Sequence, residues 1–424
     1  MQRRQLLQAG SALGALGLMS GCASVGGGSG PKVVVIGGGY AGATAAKYIR
    51  MWSEQKIQVT LVEPNPAFVS CPISNLVLGG SKTLADITTS YDNLVKRHGV
   101  QMVKDRVASI DTEKRIVKLV SGTELGYDRL IVSPGVDFMW ESLPGMNKTG
   151  AKEQVMHAWK AGEQTLTLRK QLEAMRDGGV FAMSIPLAPY RCPPGPYERA
   201  CQVAEYFSKA KPKSKVIVLD ANDDVTSKGP LFKKAWADRY KGIVEYRSKH
   251  NVVDVDAATN TLKFEFNDDL KASVLNVIPN MRAGDIAVNT GLATANKRWC
   301  EVDFLTFESK AAPNVHVLGD AIQIAPAMPK SGHMANQHGK TCAAAVIALL
   351  TGKQVNPMPI YNNTCYSFVS SEDVVHVASV HRYDAEKKTM LTVPGSGGVS
   401  SAANELEGRY ALAWARNIWA DTLA

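Results

Sequence analysis

The 424-residue chain is 45% apolar and 21% charged, an ordinary globular composition that excludes a disordered protein and allows two or three domains around a sizeable core. Its formal net charge is +9 with no interleaving of basic and aromatic residues, so nucleic acid is excluded as a partner, while solubility and an acidic partner fit. Seven cysteines are present and none forms a CxxC pair, which argues against structural zinc and any other metal site.

The amino terminus, MQRRQLLQAGSALGALGLMSGCASVGGGSG, carries Arg3 and Arg4, an apolar run from Ser11 to Met19, then small residues and glycine. Residues 1–30 read as a twin-arginine export signal and tether, because the apolar run is too short to span a bilayer. The protein is therefore expected in the periplasm, exported already folded around a prosthetic group. Cys22, at the end of LMSGC, suits a lipoprotein cleavage box and a membrane-tethered chain, while ordinary cleavage after Ala23 is the alternative. In both cases Arg3 and Arg4 leave with the signal, and the mature chain carries 9 − 2 = +7. Outside the cytoplasm a disulfide is permitted.

The next segment, PKVVVIGGGYAGATAAKYIR, runs from a β-branched strand through Gly37, Gly39 and Gly42 into an alanine-rich helix. Glycines at these positions let the backbone turn tightly and approach a pyrophosphate seated on the helix amino terminus. A second strand, QVTLVEP, ends at Glu63, 21 residues after Gly42, where a carboxylate holds ribose hydroxyls. Further along, YDRLIVSPG (127–135) and NVHVLGDAI (314–322) resemble the strands that close the first domain of two-dinucleotide flavoproteins. That resemblance implies FAD rather than NAD, with Asp320 near the ribityl and pyrophosphate region. The long helix after it would point its positive end at the flavin ring.

Between these segments a second fingerprint is expected if the protein uses NAD(P)H. At its place stands GGVFAMSIPLAPYRCPPGPYERA, a strand followed by prolines, which lack the N–H donors of a phosphate cradle. The nicotinamide site is expected to be absent, although SKVIVLD (214–220) still reads as the next strand of a doubly wound domain. Pro193 should push Cys192 toward an extended, rigid conformation. A cysteine held in this way is a buried spacer, a metal ligand, half of a disulfide or a reagent.

The expected fold is thus α/β, with two Rossmann-like dinucleotide-binding domains, the FAD domain discontinuous, and a small carboxyl-terminal domain. FAD-domain segments are expected at 31–145 and 286–354, the NAD-like domain without a nicotinamide site at 146–285, and a carboxyl-terminal interface domain at 355–424.

Across essentially the whole mature chain the sequence resembles the flavoprotein subunit of flavocytochrome c sulfide dehydrogenase. The similarity rests on EPNPAFVSCPISNLVLGG, YRCPPGPYERA, NVIPNMRAGDIA, PMPIYNNTCYS and the tail YALAWARNIWADT. It implies that Cys71 bonds covalently to the flavin 8α-methyl group, that Cys192 and Cys365 form a disulfide beside the flavin ring, and that Glu198 is an acidic residue near it. Cys201 offers Cys192 a competing partner, and Pro72 restricts Cys71. A purely structural Cys192–Cys365 bridge is the plainer alternative; closing 365 − 192 = 173 positions, it would stabilise by roughly 5 kcal/mol. Cys342 and Cys300 read as packing residues.

The resemblance implies oxidation of sulfide to sulfur or polysulfide: HS⁻ is a nucleophile, a disulfide is its electrophile, and FAD takes the electrons. Pro193, Pro194 and Pro196 would hold Cys192, and Glu198 would handle a proton or simply sit on a solvated turn. No CxxCH is present, so a c-type haem acceptor must belong to a cytochrome partner. Trp414, Ile418 and Trp419 at helical spacing cover the flavin edge, meet that partner, or form a core stripe. Rival readings are a sulfide:quinone reductase, a pyridine-nucleotide thiol reductase, and a non-catalytic flavin-binding partner of a cytochrome.

Overall fold

The computed structural model describes residues 30–424, so the export signal and Cys22 lie outside the described residues. Val33 to Val35 are at most 2% exposed, as a continuous β-branched run requires when helices cover both faces of a sheet. The strand Lys32–Ile36 occupies the centre of a five-stranded parallel sheet. Gln58–Val62 and then Gln101–Val103 lie on one side of it, Arg129–Val132 and then Val315–Val317 on the other. The last of these strands returns from far along the chain, so the first dinucleotide domain is discontinuous.

A second parallel sheet is ordered Val244–Arg247, Lys215–Asp220, Val180–Ile185, Val274–Val277. Its carboxyl edge is where the Cys192 segment leaves, the usual ligand position of doubly wound sheets. Val136–Phe138 pairs antiparallel with Met281–Ala283 where the chain passes between the two sheets. The carboxyl-terminal part is an antiparallel sheet in which Ile360–Phe368 pairs with Val374–Asp384. It is closed by the helix Glu405–Leu423, whose amino terminus is capped by Asn404 accepting from the Glu407 N–H at 2.9 Å. The architecture is the expected α/β pair of Rossmann-like domains with a small carboxyl-terminal addition.

The expected conformation of Cys192 needs correction. Its φ is +58°, in the left-handed region, where the steric push of Pro193 alone would have left it extended. Tertiary hydrogen bonds decide the matter: the Cys192 N–H donates to the Lys330 carbonyl at 2.8 Å, and the Gly195 N–H donates to the Cys192 carbonyl at 2.9 Å. Strain of this kind costs on the order of 1–3 kcal/mol and persists only where the surroundings over-determine it. The prolines also do more than stiffen a loop, because Pro194 is the amino-cap residue of the helix Gly195–Ala210 and Pro196 lies in its first turn.

Candidate active site

The glycine signature does what its spacing implies. Gly37 has φ +93°, and a Cβ there would lie 2.3 Å from the Ser133 carbonyl oxygen, while one on Gly42 would lie 2.0 Å from the Gly37 oxygen. A Cβ on Gly39 would meet nothing within 4 Å, so the backbone is open where a pyrophosphate approaches. The helix Tyr40–Trp52 has neither a side-chain cap nor an acidic residue in its first turn, leaving its amino end free for an anion. Glu63 is 7% exposed and braces this turn, accepting from the Gly38 N–H at 2.7 Å and from Asn65 N and Nδ2 at 2.8 and 2.6 Å. Asp320 follows Gly319 in a short 3-10 turn, its carboxyl raised by burial against the pull of Arg191 and Lys330.

Cys71 stands beside this cradle. Its carbonyl accepts from Ser74 N and Oγ at 3.1 and 2.6 Å, fixing the turn into the helix Ser74–Gly79. Its sulfur faces Arg191, whose charge also faces Asp320 and Cys192. Arg191 Nε is buried without a partner, a donor left for a bound group. An open helix end, a glycine approach, two acidic residues and an orphaned guanidinium donor together fit an anionic dinucleotide such as FAD.

Cys365 reaches the same place from the opposite side. Alternation along Ile360–Phe368 turns Tyr361, Asn363, Cys365 and Ser367 to the inner face. There Cys365 comes within electrostatic reach of Cys192, as do Glu198, Arg191 and Cys71. All six described cysteines are free thiols. Burial, the facing Cys365 and Glu198 push the Cys192 thiol up to about 12. Burial also raises Cys365, opposed by Lys228 and by hydrogen bonds from Asn363 and Ser331.

Cys201 has other neighbours than Cys192. It is fully buried one helical turn beyond Glu198, accepts a hydrogen bond from Trp236 Nε1 at 3.3 Å, and has Glu198, Arg239 and Glu205 as its charged neighbours rather than Cys192. Cys300 and Cys342 are likewise fully buried.

Glu198 is not on a solvated turn. It is 8% exposed, with Oε1 accepting from the Phe368 N–H at 2.8 Å and Oε2 from Asn75 Nδ2 at 2.7 Å. It thereby ties the helix after Cys192 to the strand of Cys365. Arg199, next in sequence, spans the two dinucleotide domains: Nε donates to Asn75 Oδ1 at 3.1 Å, Nη1 to Asn276 Oδ1 at 2.9 Å and the His157 carbonyl at 3.0 Å, and Nη2 to the Ala158 carbonyl at 2.6 Å. Arg191, Arg199 and Lys228 were missed by sequence reasoning. The arginines flank the singled-out motif and were within reach of it; Lys228, in TSKGPLF, carries every mark of an exposed turn.

In the middle domain the place of a ribose-binding acid is held by Asp220 at the end of Lys215–Asp220. Tyr197 and Tyr246 hydroxyls donate to its Oδ2 at 2.7 and 2.9 Å, and Asn222 N and Nδ2 to Oδ1 at 3.0 and 2.7 Å. Tyr190, 3.4 Å from the Tyr197 hydroxyl, donates to the Pro193 carbonyl at 3.2 Å. This network props the Cys192 segment.

The carboxyl-terminal tryptophans divide their roles. Trp419 Nε1 donates to Tyr40 Oη at 3.0 Å at the start of the signature helix. Trp414 lies against His333 and Tyr366, with ring centres 5.7 and 6.1 Å away, on an open cleft of about 420 Å³ beside the Cys365 strand. Ile418 is 5% exposed and belongs to the core-facing side.

Fold and site define a flavoprotein oxidoreductase of the two-dinucleotide-domain class, and residues 31–176 match the pyridine nucleotide-disulphide oxidoreductase family. Residues 165–279 match the central region of the sulfide dehydrogenase [flavocytochrome c] flavoprotein chain, and residues 357–423 the flavin-binding region of flavocytochrome c sulphide dehydrogenase. Over 46 residues, 11% of this chain and 94% of the relative, it is 59% identical to the sulfide dehydrogenase [flavocytochrome c] flavoprotein chain of Chlorobaculum thiosulfatiphilum. The chain belongs to this family of flavocytochrome c sulfide dehydrogenase flavoproteins.

It is also 28% identical to the mitochondrial sulfide:quinone oxidoreductase of Mus musculus over 73% of this chain and 69% of that one, and 26% identical to that of Dictyostelium discoideum over 68% and 65%. The chain therefore spans about two thirds of the length of these relatives. Among solved structures, the sulfide:quinone oxidoreductase of Aquifex aeolicus matches 92% of this chain and 91% of its own at TM-score 0.75 and 18% identity, which speaks for the fold.

Proposed function

We propose that the protein oxidises sulfide through a Cys192–Cys365 disulfide and bound FAD, and passes the electrons to a c-type cytochrome. The observation that carries this reading is that Cys192, Cys365 and Cys71, from three separate parts of the chain, come within electrostatic reach of one another, with Arg191 facing Cys71, Cys192 and Asp320. Gly37, Gly39, Gly42, Glu63 and Asp320 would hold the cofactor. When bound, FAD supplies a centre that accepts an electron pair and releases electrons singly, as a haem requires.

The residues of the chain do the rest. In the oxidised enzyme the facing thiols form the disulfide, and HS⁻ opens it by attack on one sulfur, leaving a persulfide there and a thiolate on the other. The hydrogen bonds at Lys330 and Gly195 hold Cys192 in its strained geometry, where a small displacement costs rate steeply. Glu198, raised by burial and facing both sulfurs, is placed to take or return the sulfide proton, with Asn75 and the Phe368 N–H fixing its orientation. The middle domain takes no nicotinamide nucleotide in this reading, since hydrogen bonds within the protein already engage the Asp220 carboxylate. The amino-terminal signal supports a periplasmic site of action.

The acceptor is tested by anaerobic turnover with sulfide. Cytochrome c is expected to be reduced faster than a water-soluble quinone analogue at equal concentration; the reverse order favours the quinone reading suggested by the mitochondrial and Aquifex relatives. Covalent attachment of FAD through Cys71 belongs to the same proposal. Acid precipitation of the native protein is expected to yield a yellow pellet, and the Cys71→Ser variant a colourless pellet with flavin in the supernatant. A colourless native pellet rejects the thioether.

A further inference from the structure

Lys228 is 7% exposed, yet the reaction described above gives it no task. Its ammonium reaches from the middle domain onto the strand of Cys365, donating to the Cys365 carbonyl at 2.9 Å, to Ser367 Oγ at 2.7 Å and to the Val375 carbonyl at 3.3 Å. All three partners are neutral oxygens. The anionic or ionisable groups that face it are Cys365, Glu198, Cys192 and Glu407, with the Phe232 ring 5.8 Å away. A buried ammonium satisfied by neutral oxygens alone is poised to attract a negative charge formed beside it.

The two sulfurs are not equivalent in these surroundings. Cys365 Sγ has the Asn363 amide beside it, Nδ2 at 3.5 Å and Oδ1 at 3.6 Å, with Ser331 Oγ donating to that Oδ1 at 2.7 Å, besides the Lys228 charge. Ser331 is itself fixed as the amino cap of the helix Gly332–Thr351. Cys192 is buried against Glu198 and Cys365; the cations around it are Arg191, shared with Cys71 and Asp320, Arg199, already committed to four neutral acceptors, and Lys228, which acts first on Cys365.

We propose that Lys228 is a positioning residue that fixes the direction in which the disulfide opens, holding the negative charge on Cys365 so that the incoming sulfur ends on Cys192. This rests on the sulfide-oxidising reading above. In the step, the sulfide sulfur bonds to Cys192 Sγ while the Cys192–Cys365 S–S bond breaks. The sulfide sulfur is oxidised to the persulfide level, its electron pair leaves as the Cys365 thiolate, and its proton stays on the Cys192 persulfide. No other reactant is needed.

The test is a single anaerobic addition of sulfide to the oxidised holoprotein, quenched with iodoacetamide and mapped by peptide mass. Wild type is expected to carry the extra sulfur on Cys192 over Cys365 by at least about tenfold, the ratio set by one unit of thiol acidity. In Lys228→Met, checked for flavin content and melting temperature, that ratio falls toward one, and Lys228→Arg restores it. An unchanged ratio in a folded Lys228→Met protein, or wild-type sulfur on Cys365, overturns the role of Lys228 while leaving the sulfide reaction standing. An unopened disulfide in wild type overturns both. Should Lys228→Met not fold, the fully reduced wild-type holoprotein decides. Cys365 is expected to alkylate at lower pH than Cys192, and the opposite order overturns the proposal.

Discussion

Replacing Cys365 by serine abolishes sulfide-dependent reduction of the bound flavin, and replacing Cys192 does the same. Each variant lacks the S–S bond that sulfide must open, so each is expected to fall by a factor on the order of 10⁴, the loss typical when one member of a catalytic unit is removed. Both should keep their FAD, because the cradle of Gly37, Gly39 and Gly42 touches neither thiol. Cys201→Ser is the control: its sulfur faces Trp236, so sulfide oxidation should persist. Stopped-flow absorbance of the flavin band after anaerobic mixing reads all three. Normal reduction in either Cys192→Ser or Cys365→Ser contradicts the disulfide mechanism. Retained activity in Cys192→Ser together with loss in Cys201→Ser would move the redox pair elsewhere.

The second large effect is on stability. Arg199 is 3% exposed and joins Asn75, four positions after Cys71, to His157, Ala158 and Asn276 of the middle domain. Truncation to methionine removes these charge-assisted bonds and strands buried carbonyls, a loss of about 3–5 kcal/mol. Lysine recovers little of it, since a single ammonium cannot replace a planar fork that serves four acceptors. Denaturant unfolding of the holoprotein, followed by tryptophan fluorescence and by flavin release, measures the loss. A midpoint unchanged from wild type contradicts the bracing role. Because the same arginine fixes the helix that follows Cys192, the variant should also bind FAD more weakly.

These two effects differ in how visible they were beforehand. The glycine turn, Glu63 and the strands of the two sheets follow from local patterning, since strand periodicity and the backbone freedom of Gly37 act within a few residues, whereas Asp320 came through resemblance. The association of Cys71, Cys192 and Cys365 came through resemblance, because no local rule brings residues 71, 192 and 365 together. The conformation of Cys192 went the other way: Pro193 argued for an extended backbone, and the bond from its N–H to Lys330, 138 positions away in sequence, overrode that preference. Lys228 sits between serine, glycine and proline, where a charge ordinarily meets solvent, and only the packing of the carboxyl-terminal sheet onto the middle domain buries it. Glu198 and Arg199 share this history, for helix position alone does not reveal that a third segment covers the helix on its outer side.

The measurement that reaches the centre of the account is anaerobic titration of the wild-type holoprotein with sulfide, followed at the flavin absorption band. The account predicts rapid bleaching at near-stoichiometric sulfide, with colour restored on adding oxidised cytochrome c. A flavin that stays oxidised in excess sulfide would contradict it.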